Sequence, residues 1–169
     1  METGQQKSSM KDAFQMNPTV LAYLGDAVYE VYVRQHVMQT GQIHADCLHH
    51  SAVKYVCAQG QAKAIKKIFD RLPEEQQLLV KRARNKKFTS KSKNADAVTY
   101  KWATAFEALV GYLYLTKKEK ELTNLFEETM NIIEGGEPSG QLAPESDLRE
   151  DAAGGAVEAE NDGRMAKED

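Results

Sequence analysis

The sequence predicts an all-α fold, and three observations carry that expectation. Two stretches, Pro18–Met38 and Ala97–Leu115, are long, mostly apolar and free of proline beyond the first residue. Elsewhere the large apolar residues return at helical spacing. No segment alternates apolar and polar residues with the period of two that a half-buried strand needs.

Residues 1–16 read as a polar, frayed lead-in. Asn17 followed by Pro18 is a strong helix start, with Asn as the N-cap and Pro at the first helical position. The helix that follows should run to Met38 and stop near Gly41, and the rest of the chain is expected to be organised around it. Its three charges, Asp26, Glu30 and Arg34, are spaced four apart and share one stripe. Val20, Leu21, Leu24, Val28, Val31 and Met38 cover another face.

A second helical region spans 43–71, with Leu48, Val53, Val56, Ala62, Ile65, Ile68 and Phe69 at helical spacing and a bend expected at Gly60. The segment 73–84 opens with Pro and two glutamates and closes with basic residues, the charge order that a helix dipole favours. A Lys-, Ser- and Asn-rich loop over 85–94 leads into the second greasy helix. A last amphipathic helix over 118–133 stops at Gly135–Gly136. The remainder is Gly, Ala, Pro and acids with almost no large apolar residue, the composition of a disordered tail. The chain therefore divides into a lead-in (1–16), one helical domain (17–134) and an acidic tail (135–169).

The net charge of −3 conceals an asymmetry. Residues 134–169 hold 11 of the 25 acidic residues and only 3 of the 22 basic ones, which leaves residues 1–133 at +5. A mildly basic body suits contact with a polyanion. Cys47 and Cys57 form no CxxC pair and no disulfide framework, as expected in a reducing compartment. The first residues have no apolar core of a signal peptide, and the run 102–115 is too short to span a bilayer. These features lead us to expect a soluble, cytoplasmic protein with no membrane partner.

Each greasy helix carries one awkward acid. Asp26 follows Gly25, and Glu107 precedes Gly111 by one turn and is the only charged residue of 102–115. Burying a carboxylate without a partner is costly. Glycines on both helices would let the backbones approach and bring the two acids together, where they must share a proton or hold a cation. An all-oxygen pair of this kind suits Mg²⁺, which keeps several waters and is held by one or two carboxylates plus substrate phosphate. The competing reading pairs each acid with a nearby Lys or Arg. Glu30 has such a partner in Arg34 at i,i+4, with an outer-shell role beside Asp26 as the alternative.

The run 81–93, KRARNKKFTSKSK, has seven basic residues and no acid: Lys81, Arg82, Arg84, Lys86, Lys87, Lys91 and Lys93. With Ser, Thr and Asn interleaved, it could contact several phosphates by charge and hydroxyl hydrogen bonds without reading bases. Cys47 and His50 are three apart but have no second pair to complete a zinc site. No P-loop, nucleophile elbow or dinucleotide fingerprint is present.

The segments LAYLGDAVYE (21–30) and TAFEALVGYLYL (104–115) together resemble the two signature helices of the ribonuclease III catalytic domain, roughly LEFLGDAVLE and DAFEALIGAIYL. The resemblance covers about residues 17–133. It implies an all-α, homodimeric endonuclease domain that cuts double-stranded RNA with Mg²⁺. Asp26 and Glu107 fall on the family's two essential metal-binding acids. Its other two site acids fall on Ala22 and Thr104, which supply no carboxylate. That pattern, together with a body lacking a double-stranded-RNA-binding domain and the stretch RARNKKFTSKSKNADAVTY (82–100), resembles the compact mini-ribonuclease III branch. That likeness implies a role in maturing the ends of large-subunit (23S) ribosomal RNA precursor, with 5′-phosphate and 3′-hydroxyl products. A ribosomal protein or pre-ribosomal particle is then a candidate partner. Two other classes compete: a catalytically silent ribonuclease III-like protein that binds structured RNA, and a helical Mg²⁺ nucleotide pyrophosphohydrolase. The latter tends to use ExxE acid pairs, absent from both greasy helices.

Overall fold

The computed structural model describes residues 12–87 and 96–136. Residues 1–11 of the expected lead-in, Lys91 and Lys93 of the basic run, and residues 137–169 of the expected tail lie outside the described residues. Within the expected frayed lead-in, residues 12–15 are instead helical, with Ala13 buried in the core. Six longer α-helices follow among the described residues: α1 (Pro18–Met38), α2 (Ala45–Val56), α3 (Ala58–Ile68), α4 (Glu74–Asn85), α5 (Ala97–Leu115) and α6 (Glu119–Ile133). A 3-10 turn, Phe69–Arg71, links α3 to α4. Among the described residues there is no strand, and no helix is long and apolar enough to cross a membrane.

The helix that the others enclose is α5 rather than α1. Ten of its 19 residues are buried, against seven of 21 in α1. A helix that is apolar all round can only be satisfied in the interior. It packs against α1, α3 and α4, while α2 lies on α1, and α6 on α3 and α5. Asp96 starts it as N-cap, its carboxylate accepting from Val98 N and Thr99 N at 2.9 Å. At the start of α1, Asn17 Oδ1 accepts from Thr19 N at 3.1 Å. Gly41 follows the end of that helix with φ +77°, a conformation that costs glycine little.

The face that α1 buries differs from the expected one. Leu21, Ala22, Gly25, Tyr29, Val33 and Val37 point inward, whereas Val20, Val31 and Met38 are more than half exposed. The cause is the meeting with α5. A Cβ on Gly111 would lie 2.1 Å from Leu21 O, and one on Gly25 would clash with Glu107 O in the same way. Only a seam of small residues permits that approach, so the bulky aliphatics turn outward. One turn on, Tyr29 fills the space beside the seam, its ring edge-on to Phe106 at 4.8 Å and its hydroxyl donating to Tyr55 O at 3.2 Å.

The bend expected at Gly60 falls at Cys57, whose extended backbone (φ −69°, ψ 151°) ends α2 and caps α3. Gly60 still takes part: its N–H points at Cys57 Sγ (3.4 Å), and a Cβ there would stand 2.3 Å from Lys54 O. The sharp return of the chain therefore needs glycine one turn after the break.

Candidate active site

The seam between α1 and α5 fixes their axial register. Gly25 sits against Glu107, so Asp26 on one helix and Glu107 on the other open onto the same cleft. Thr19, Ala22 and Tyr23 line it from α1, and Tyr100 and Thr104 from α5, around a volume of about 220 Å³. Each set follows the i, i+3, i+4, i+7 spacing of one helix face. Ala22 and Thr104, the positions where the resemblance puts neutral residues in place of acids, belong to this same wall.

The two acids differ in burial. Asp26 is exposed, contrary to the expectation that α1 would bury it, because the seam turns Gly25 inward and leaves the next residue at the rim. Partial desolvation and then the neighbouring charge of Glu30 raise its pKa. Glu107 is only partly exposed, and its pKa is pushed up to about 7. Burial is the larger cause and repulsion from Asp26 the second, with Gln61 acting in the opposite direction. Among the described residues no lysine or arginine forms an ion pair with either acid.

Gln61 went unnoticed in the sequence. It is fully buried at the start of α3, and its Nε2 approaches Glu107 without a well-formed hydrogen bond. A buried amide donor without a well-formed bond costs about 1–3 kcal/mol, and the acceptor beside it is the Glu107 carboxylate. The available signal was one polar residue in the otherwise apolar stripe of α3.

This donor set fits a divalent cation of the Mg²⁺ type. Two carboxylates line one cleft without a countercharge among the described residues, and burial together with Asp26 disfavours the charged form of Glu107. No group of three or more His, Cys, Asp or Glu side chains that could hold a metal occurs among the described residues. The remaining coordination would come from water and substrate phosphate, the habit of Mg²⁺.

Glu30 faces elsewhere. It is paired with Arg34 at 3.0 Å and lines the groove between α1 and α2 rather than the cleft. The basic run divides in two. Arg82 turns inward: its guanidinium donates to Phe14 O and to Met16 O (3.3 Å) and lies 4.9 Å from the Phe14 ring centroid, with burial lowering its pKa. Lys86 bonds Asn17 Oδ1 on the same side. Lys81 and Arg84 point the other way, over Phe69 (5.5 Å) and Trp102 (4.8 Å). Lys87 is exposed.

Comparison with known proteins places the chain in a family and a fold. Residues 19–118 match the model of the ribonuclease III domain. The chain is 44% identical over 131 residues to the Mini-ribonuclease 3 of Brevibacillus brevis, covering 78% of this chain and 98% of that one. It is 42% identical over 118 residues to the Mini-ribonuclease 3 of Enterococcus faecalis, covering 69% and 89%. An X-ray crystal structure of a Fusobacterium nucleatum protein superposes with a TM-score of 0.63 at 33% identity, over 69% of this chain and 93% of that one.

Proposed function

The chain belongs to the ribonuclease III family, and from that membership we infer an endoribonuclease that cuts double-stranded RNA at the Asp26–Glu107 cleft with Mg²⁺. One observation carries the assignment of the site: two unpaired carboxylates from different helices share one cleft, held there by a backbone seam. Magnesium bound there would neutralise charge on the scissile phosphate and increase the acidity of the attacking water.

The protein's own residues do the rest. Asp26 and Glu107 would hold the cation, with their helices kept at a fixed spacing by the α1–α5 seam. Burial and the charge of Asp26 push the Glu107 pKa up to about 7, and a cation held there would favour its charged form. The Gln61 amide is available to a Glu107 oxygen and favours its charged form. Tyr23, Tyr100 and the hydroxyls of Thr19 and Thr104 line the wall that meets the RNA backbone. Such contacts suit recognition of shape, phosphates and 2′-hydroxyls more than of sequence. Lys81, Arg84, Lys86 and Lys87, with Lys91 and Lys93, supply the electrostatic grip, and Arg82 braces the segment that precedes α1. Glu30 serves its ion pair with Arg34.

The natural substrate in this reading is large-subunit (23S) ribosomal RNA precursor, cut at paired ends to leave 5′-phosphates and 3′-hydroxyls, in the cytoplasm. A ribosomal protein or pre-ribosomal particle is the candidate presenter. The working unit is a homodimer with one cleft per strand. Support for that comes from α1, where Val20, Tyr23, Val31 and Met38 form an exposed apolar stripe beside Asp26. Incubation with matched duplex and single-stranded RNAs, with and without Mg²⁺, followed by end mapping, tests the reading. Duplex-restricted, Mg²⁺-dependent cuts with 5′-phosphates are expected. Duplex binding without any cut would leave an RNA-binding protein instead.

A further inference from the structure

Away from the cleft, positive charge gathers around Trp102, the chain's single tryptophan. The indole is half-buried on α5, with the Phe69 ring edge-on at 5.9 Å. The Arg84 guanidinium from α4 lies 4.8 Å from its centroid, and the Lys66 ammonium from α3 lies 5.9 Å away. Lys101, on α5 itself, joins Arg84, Asn85, Val98 and Trp102 around a hollow of about 310 Å³. Cations from three helices thus converge on one aromatic platform.

No ion pair among the described residues balances Lys66, Arg84 or Lys101, and Asp96 offsets only part of the charge, at Lys66. The acid facing Lys66 is Asp96, and its oxygens are engaged by Val98 and Thr99 in capping α5. Arg84 Nε donates to Asn85 Oδ1 at 3.2 Å, which orients the fork while its terminal nitrogens stay available. Like charges held together in this way repel, and the ring offsets only part of that cost. An incoming anion removes the penalty. A stacked, pre-oriented guanidinium suits phosphate in particular, because its parallel donors match two phosphate oxygens.

The hollow also has the right position. Tyr100 lines the cleft, and Lys101 and Trp102 follow it on the same turn of α5. Cleft and hollow therefore sit on two sides of one helix, about 10 Å across. A duplex laid on the cleft is wider than that, so its backbone can reach the flank of α5 that Lys101 opens.

We propose that Lys66, Arg84 and Lys101, ordered by the indole of Trp102, form a phosphate-binding patch that grips the backbone of the RNA duplex beside the cleft. This rests on the duplex-RNA reading above. It adds Lys66, Lys101 and Trp102 to the interface and gives Arg84 a defined role separate from the loop.

The lone tryptophan supplies its own probe. The full chain is titrated with an end-labelled RNA duplex in EDTA, reading label anisotropy and Trp102 emission together. Both signals are expected to saturate on one curve. Lys66→Gln and Lys101→Gln should each weaken binding about 3–10-fold and reduce the slope of log affinity against log salt by about 1. Lys120→Gln, on α6, should do neither. Trp102→Phe should keep the affinity, and Trp102→Leu should lose it about as the lysine variants do. Duplex binding that leaves Trp102 emission and both salt slopes unchanged overturns the patch alone. No duplex binding at any salt overturns the patch and the duplex-RNA reading together.

Discussion

The α-carbon of Gly25 rests on the carbonyl of Glu107, so close that an added methyl would stand 1.8 Å from that oxygen. The obstacle is backbone, which cannot swing aside. Gly25→Ala should therefore part α1 from α5 or prevent folding, with a loss of about 3 kcal/mol or more in urea denaturation. Gly41→Ala is the contrast. There φ is +77° and nothing lies within 4 Å of the new methyl, so only conformational strain of about 1 kcal/mol is expected.

Glu107 links stability to pH with a definite sign. Its pKa rises from 4.5 to about 7 on folding, so the native state binds the proton more tightly than the unfolded chain does. That contribution is complete below pH 4.5 and is lost as pH climbs through 7. In metal-free buffer, Glu107→Gln should stabilise the protein by about 2 kcal/mol at pH 8 relative to the parent. The two should converge near pH 4. Added Mg²⁺ should raise the melting temperature of the parent at pH 8 and leave the variant where it was.

Arg82 and Lys87 stand close in sequence and should behave differently. Arg82 holds Phe14 and Met16 through carbonyl bonds and ring stacking. Arg82→Ala should cost about 2–3 kcal/mol in denaturation. Lys87→Gln should leave stability within about 0.5 kcal/mol and lower the salt slope of duplex binding by about 1.

The exposed stripe on α1 predicts self-association. Val31→Asp, at a residue 57% exposed in the single chain, should not disturb folding. Sedimentation velocity should report a dimer for the parent and a monomer for the variant. A monomeric parent at micromolar concentration would remove the dimer from the account.

Much of this fold was legible in the sequence because its helix ends are marked chemically. Asn17 with Pro18 starts α1, and Pro73 with two glutamates starts α4. The pairing of Asp26 with Glu107 was legible from the glycines beside them. The inward face of α1 was not, because hydrophobicity alone favours Val20 and Val31, whereas the close helix contact selects Ala22 and Gly25. For the same reason Asp26 looked buried and is exposed. The bend came at Cys57 because its sulfur caps the next helix, a role that cysteine rarely advertises. Gln61 and the ring around Trp102 were hidden because each depends on residues from other helices, which periodicity within one segment does not reveal.

The central claim is that Asp26 and Glu107 jointly hold the cation that cleavage needs. Single-turnover cleavage of a duplex RNA by Asp26→Asn and Glu107→Gln, each confirmed folded and still binding the duplex, tests it most directly. The account predicts that each variant loses about a thousandfold in rate, equivalent to about 4 kcal/mol. Cleavage by either variant at the parent rate would contradict it.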